Sequence, residues 1–333
     1  MIARVAAAVV LALGPSSDGA FSFQDAEITE SSALVVLPDG DFVTTNDSGD
    51  SARVFVVSPE GKTLRVSAWA DDATDVEALA PFGWPARDDR VWVGDIGDNA
   101  AIRDSITVGV AKVGLGDQET QEGSVPRELR YPDGAHDAET LMEAPDGRLL
   151  IVTKGFLGGT LYATPQEYDA TGPVTLEALS SPDVMLPMAT DGAFLPDGRH
   201  FLVRGYTSAT LYAWPSLDRL GSMTLPSQKQ GEGLGIAADG SLWLSSEGVH
   251  SEVLHLQLTP ELQAIVAPTS PSPSPSSPSP SGASPQPNGS SPQPSGGSPQ
   301  SSGGSEWWPW AAGGVVAAGL AAWWVRLRRH PNG

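Results

Sequence analysis

The chain of 333 residues carries 40 acidic against 19 basic side chains, a formal charge of −21, and no cysteine. That charge argues against nucleic-acid binding, and the lack of cysteine excludes thiol nucleophiles, thiolate metal sites and disulfides. What is left is a domain held by apolar burial alone, in a chain long enough to bury one large core.

Arg4, the apolar run 5–13 and then Gly14-Pro15-Ser16-Ser17 make a charged n-region, an h-region and a small-residue zone. This predicts a secretory signal peptide over 1–20, with cleavage between Gly14 and Ala20. The main domain is expected over 21–267.

Within it, an acidic residue opens a short apolar segment that runs through a tight turn into a second strand, five times over: at Glu30, Glu77, Glu139, Asp191 and Glu232. The spacings of 47, 62, 52 and 41 residues are near the length of a four-stranded propeller blade. The first copy reads as ALVVL, DFVTTN, RVFVVS and LRVSAWA, with turns at Pro38-Asp39-Gly40 and Pro59-Glu60-Gly61. The third reads as TLMEA, RLLIVT, TLYAT and VTLEAL. Val, Leu, Ile and aromatic residues bounded by Asp-Gly and Pro turns indicate antiparallel hairpins, and no helical period is sustained in the domain. The fifth copy supplies three strands, so the β-prone residues 21–26 are expected to complete its blade and close the ring, which removes open sheet edges. The fold class is therefore all-β, a five-bladed propeller, or six-bladed if the long second copy hides a further hairpin.

Residues 262–305 carry no charge, and from Pro268 onward the composition is almost wholly Pro, Ser, Gly and Gln. This predicts an extended, disordered stalk over 268–305. The segment 306–325 follows, uncharged from Trp307, with Trp307, Trp308 and Trp310 at one end and Trp323 and Trp324 at the other. Nineteen helical residues rise ~28 Å, the thickness of a bilayer core, so a single membrane helix is expected. Arg326, Arg328 and Arg329 open a basic tail over 326–333 that stays cytoplasmic, which leaves the domain outside the cell on a single-pass anchor.

In an antiparallel blade the start of the first strand and the end of the second share one face. The acids Glu30, Glu77, Glu139, Asp191 and Glu232 are thus expected to ring one mouth of the channel. The second-strand ends Asp47, Asp95, Lys154, Arg204 and Glu247 are expected to join them. Crowded carboxylates share protons or hold a cation, and Ca²⁺ accepts six to eight oxygens in loose geometry. Glu77, Asp95 and Asp98 are the leading candidates, with Glu139, Glu232, Glu30 and Asp47 around them. Asp, Asn and Gly at these places also make turns and cap strands. Arg103, Lys154, Arg204 and Glu247 are candidate ligand contacts, Arg103 more naturally as a holder of the Asp95–Asp98 loop. His136 precedes the third-copy acid and is a candidate base, as is a carboxylate left free of metal. No Gly-x-Ser-x-Gly elbow, Ser-x-x-Lys or phosphate-cradling glycine loop is present.

The Gly94-Asp95-Ile96-Gly97-Asp98-Asn99 string and the acidic-x-Leu openings resemble a group of secreted bacterial, notably actinobacterial, propeller proteins. The Glu232-Gly233-Leu234 opening is similar to phytase-like and esterase-like propellers, and more loosely to calcium-dependent lactonases. The resemblance covers about 28–258 and implies a divalent metal at the channel mouth, held by Glu77, Asp95, Asp98, Glu139 and Glu232. Lys154 and Arg204 depart from a fully acidic cluster. Two functions follow: a surface propeller that binds a small molecule or protein through its acidic face, or a Ca²⁺-dependent hydrolase of phosphate esters or lactones.

Overall fold

The computed structural model describes residues 18–87, 89–114, 126–167, 172–182 and 184–267. The predicted leader up to residue 17, the stalk, the membrane helix and the basic tail lie outside these residues. Among the described residues no helix is long and apolar enough to cross a membrane.

β1 (Asp18–Ser22) precedes a first blade made of β2 (Ser31–Val36), β3 (Phe42–Asn46), β4 (Arg53–Val57) and β5 (Thr63–Ala68). The second contains β6 (Val76–Pro81), β7 (Arg90–Asp95), β8 (Ile106–Lys112) and β9 (Arg127–Arg130). The third contains β10 (Ala138–Glu143), β11 (Leu149–Thr153) and β12 (Leu161–Ala163), to which β13 (Val174–Thr175) and β14 (Glu177–Ala178) lead on. The fourth is β15 (Asp191–Phe194), β16 (His200–Arg204), β17 (Ser208–Ala213) and β18 (Arg219–Thr224). The last is β19 (Gly231–Ile236), β20 (Leu242–Ser246) and β21 (Glu252–Leu256), followed by a helix, α1 (Pro260–Val266). The result is a five-bladed, all-β propeller with four antiparallel strands in each blade, the second blade extended by β13. Among the described residues the long second copy holds no extra hairpin, which decides five blades over six.

Four hairpins repeat one turn. Asp39, Asp146, Asp197 and Asp239 each accept a hydrogen bond through Oδ1 from the amide two residues on. The following glycines, with Gly40 at φ 95° as the first of them, take the left-handed conformation that closes such a turn without a Cβ penalty.

The core lies in the seams between blades, one apolar cluster to each seam. Val35, Val43 and Val54 meet Leu79, Val91 and Val93 between the first and second blades. Phe21, Phe23 and Val253 meet Phe42 and Phe55 where the last blade closes on the first. β1 pairs with β21, Phe21 opposite Val253. The closing strand therefore begins and ends earlier than the expected 21–26, with residues 18–20 taking part in it.

Two further expectations need correction. The predicted strand VTLEAL is split: β13 adds in parallel to β9 of the second blade, while β14 pairs with β12 of the third. Val174 and Leu176 sink into the cluster between those blades, so the chain crosses the seam within one short segment. The domain also ends in a helix that hydrophobic period could not reveal, because α1 has only seven residues. Its signal lay in the start: Thr259 caps the Leu262 amide and Pro260 occupies the first turn, as the cap rules favour.

Candidate metal centre

Register decides which side chains reach the channel. In the first three blades the opening strand carries a bulge, at Ser32, Glu77 and Glu139, and the last blade has an irregularity over Glu232-Gly233. A bulge re-aims the extra side chain, and these residues are all buried. The first-blade member of the ring is thus Ser32. Glu30 lies two residues earlier, exposed, in a bridge with Glu247. The fourth opening strand has no bulge, and Asp191 pairs in register with Arg204. Asp191 turns into the molecule instead, where its carboxylate accepts the amides of Gly192 at 2.8 Å, Leu234 at 2.6 Å and Leu34 at 3.4 Å.

The second-strand ends cap the segments that lead into the opening strands. Asn46 Oδ1 accepts the amides of Thr29 and Glu30 at 3.0 and 3.2 Å. Asp95 accepts those of Thr74 and Asp75 at 2.9 and 3.0 Å, and Ser246 Oγ accepts that of Gln230 at 3.1 Å. The recurrence of polar residues at this place therefore has a structural cause. Arg103 also donates to Asp95 Oδ1 at 2.8 Å and to the Gly97 carbonyl at 2.7 Å. Asp98 Oδ2 accepts the amides of Ile102 and Arg103 at 2.8 and 2.7 Å. Asp95, Asp98 and Arg103 together shape the loop beside the mouth.

The carboxylates that converge are Asp47, Asp75 and Glu77, with ligand oxygens all within 4.8 Å of one another. Asp47 follows β3, Asp75 stands just before β6 and Glu77 occupies its bulge. Ser32 Oγ donates to Glu77 Oε2 at 2.7 Å, while Asp75 Oδ1 is buried with no hydrogen-bond partner. Gly97 permits the approach: a Cβ there would stand 2.5 Å from Asp75 Oδ2 and 2.7 Å from Glu77 Cγ. Burial, then Asp47 and Asp137, push the Asp75 carboxyl up to about 6. Burial, with Glu139 and Asp47 next, holds Glu77 well above the ordinary glutamate value. Three crowded carboxylates, an oxygen without a donor and a cradle that a methyl group would fill form an all-oxygen set that fits a hard cation.

The far side of the mouth is neutralised from within. Lys154, at 10% side-chain exposure, pairs with Glu139, and its ammonium lies 5.5 Å from the Tyr206 ring centre. Burial would lower the Lys154 pKa, but Glu139, Tyr206 and Glu232 outweigh it and raise it. Arg204, fully buried, donates to the carbonyls of Gly233 and Ser245 and to Gln228 Oε1. Glu232 and Glu247 share Gln230, whose amide nitrogen lies 3.2 and 2.5 Å from them. Burial and the neighbouring Glu232, Asp47 and Glu30 push Glu247 up to about 9.

His136 Nε2 contacts Asp133 Oδ1 and the Tyr162 hydroxyl, both at 3.1 Å. Sequence reasoning singled out neither Asp75 nor Ser32. The signal for Asp75 was there: Asp75-Val-Glu77, Asp137-Ala-Glu139 and Gln230-Gly-Glu232 place a second polar side chain two residues before each of these ring acids.

No family model matches the chain, and no curated protein matches it significantly. Among solved structures it is similar to a streptogramin B lyase, at 14% identity over 68% of this chain and 64% of that one with a TM-score of 0.37. It is also similar to virginiamycin B lyase from Staphylococcus aureus, at 13% identity over 68% of this chain and 66% of the other, TM-score 0.35. A gluconolactonase from Xanthomonas campestris gives 18% identity over 69% and 76%, TM-score 0.41. These are β-propeller proteins, and the chain spans slightly less than two thirds of either lyase.

Proposed function

We propose that the chain is an exported, membrane-anchored propeller that binds a divalent cation, with Ca²⁺ the best-suited ion, at Asp47, Asp75 and Glu77, and engages an external ligand through that mouth. The observation that carries this reading is the convergence of three carboxylates around the unpartnered Asp75 Oδ1, with Gly97 keeping the space open. Ca²⁺ suits the set because it takes oxygen donors in loose geometry and retains coordination positions for a ligand's own oxygens. The signal peptide, stalk and uncharged helix read from the sequence support presentation on the outer surface.

Binding is favoured over hydrolysis because the groups that could serve as base are engaged otherwise: His136 makes its contacts to Asp133 and Tyr162, and the converging carboxylates serve as the cation's ligands. The test is metal content together with thermal melting of the full chain in Ca²⁺ and in chelator. A ligand that binds only the folded state stabilises it by RT ln(1 + [L]/Kd), about 2.7 kcal/mol at a hundredfold excess over Kd. Bound metal and a higher Tm in Ca²⁺ are expected. Equal melting curves with no metal bound would refute the reading.

A further inference from the structure

The loops around the mouth carry exposed apolar side chains that the cation does not explain. Ile102 is 78% exposed, Phe156 66%, Leu157 76% and Val249 51%. Each lies on a connection from a blade's second strand to its third, on the face of the triad. Three of these residues are on segments tied together: Asp98 donates its amide to Asp137 Oδ1, and Lys154 donates its amide to the Asp137 carbonyl. The Asp98 carboxylate in turn accepts the Ile102 amide, and Phe156 and Leu157 follow Lys154 directly. The apolar tips are thus fixed to the wall of the mouth. Inside them lie Glu77, Glu139, Glu232 and Glu247, against the single ammonium of Lys154. Glu139 is 4% exposed, and its Oε2 has no hydrogen-bond partner although its other oxygen holds Lys154. Its nearest electrostatic neighbours include Glu232 and Asp137, and Glu77 feels it first among charges. Glu139 therefore leaves one buried carboxylate oxygen without a donor among the ring acids.

We propose that the mouth docks a protein partner that inserts a lysine or arginine side chain among these acids, while apolar residues flanking it pack on Ile102, Phe156, Leu157 and Val249. The proposal rests on the reading of the mouth as the binding face. Charge complementarity selects the basic anchor, since an inserted cation relieves the mutual repulsion of Glu139, Glu232 and Glu247. Shape selects a protein over a small molecule, since small ligands sit in concave pockets that enclose most of their surface. Loop tips left two-thirds exposed are instead covered by a broad opposing surface with a buried basic or aromatic centre.

The test is selection of phage-displayed random dodecamer peptides on the immobilised full chain, with phosphatidylcholine vesicles as a second probe. The comparison proteins are Phe156→Ser/Leu157→Ser, which changes exposed positions only, and Glu232→Gln/Glu247→Gln. Wild type is expected to enrich peptides with a basic residue between apolar ones. Binding of those peptides should fall at least tenfold on either variant while the Ca²⁺-dependent rise in Tm persists in the serine variant. No enrichment over the serine variant, enrichment indifferent to the basic residue, or vesicle binding without peptide selection would each overturn the proposal. Peptide selection without any effect of Ca²⁺ on Tm would leave docking standing and remove the metal reading. A Ca²⁺ effect without selection would do the reverse.

Discussion

The two halves of the channel mouth handle the same problem differently. On the side of the third and fourth blades, buried acids meet buried bases: Glu139 holds Lys154, and Asp191 is taken up by three backbone amides beside Arg204. On the side of the first and second blades, Asp47, Asp75 and Glu77 face one another and, among the described residues, no base forms an ion pair with them; Arg103 pairs with Asp95 and acts on Asp75 only as a neighbouring charge. Desolvated like charges are tolerated only if they take up protons or a counter-ion. The closed half carries its counter-ions in the chain, so it joins blades. The open half leaves that place to something from outside, and it is here that the cation is to be sought.

The largest effect should come from opening the closed half. Lys154→Met leaves Glu139 buried opposite Glu232 without compensation, and breaking a buried pair costs about 3–5 kcal/mol. Denaturant unfolding at pH 8 measures it. The loss should shrink near pH 5, where a Glu139 whose pKa burial has already raised can take a proton. A loss under ~1 kcal/mol at both pH values would make the two halves alike. Gly97→Ala acts on the open half. Forcing a methyl into the Asp75–Glu77 contact should cost about 1–3 kcal/mol, as overpacking does, and remove the Ca²⁺-dependent rise in Tm.

The pH dependence sharpens the contrast further. Asp75 and Glu247 hold their protons more tightly when folded, up to about 6 and about 9, than in the unfolded chain, where such groups titrate near 4. Between those limits the folded state binds more protons, so stability in chelator should fall as pH rises from about 4 through 6 and on toward 9. Asp75→Asn should flatten the lower part of that decline, and Ca²⁺ should stabilise more at pH 8 than at pH 5. A flat profile from pH 5 to 9 would mean that these carboxyls are not held protonated. The smallest effect is expected at His136: His136→Ala should cost under ~1 kcal/mol, as surface-proximal changes do, and leave the Ca²⁺ response intact.

The same contrast marks how far the sequence could be read. The blades were legible because each spells its own hairpin: Pro-Asp-Gly turns recur, strands are apolar, and five openings indicate five blades. Six stayed open until the long second copy proved to hold no extra hairpin among the described residues. The ring was legible where the acid itself occupies the bulge or irregularity, as at Glu77, Glu139 and Glu232. It failed at Glu30, because the first blade places serine at the bulge and the visible acid two residues early. At Asp95 and Asp98 the role stayed ambiguous, since a carboxylate that caps backbone amides has the same local sequence as one that binds metal. Only the pairing register separates the two, and register is a property of the folded sheet. Asp75 was hidden for the converse reason, lying outside the strand that gave the repeat its phase.

The most direct test is calorimetric titration of the metal-stripped full chain with CaCl₂, run on wild type, Asp75→Asn and Asp95→Asn. One saturable site per chain is expected in wild type; Asp75→Asn should lose it, and Asp95→Asn should keep it, with its Arg103 contact and loop cap weakened. Binding that survives Asp75→Asn but disappears in Asp95→Asn would move the site to the 95–98 loop and contradict the open-half account.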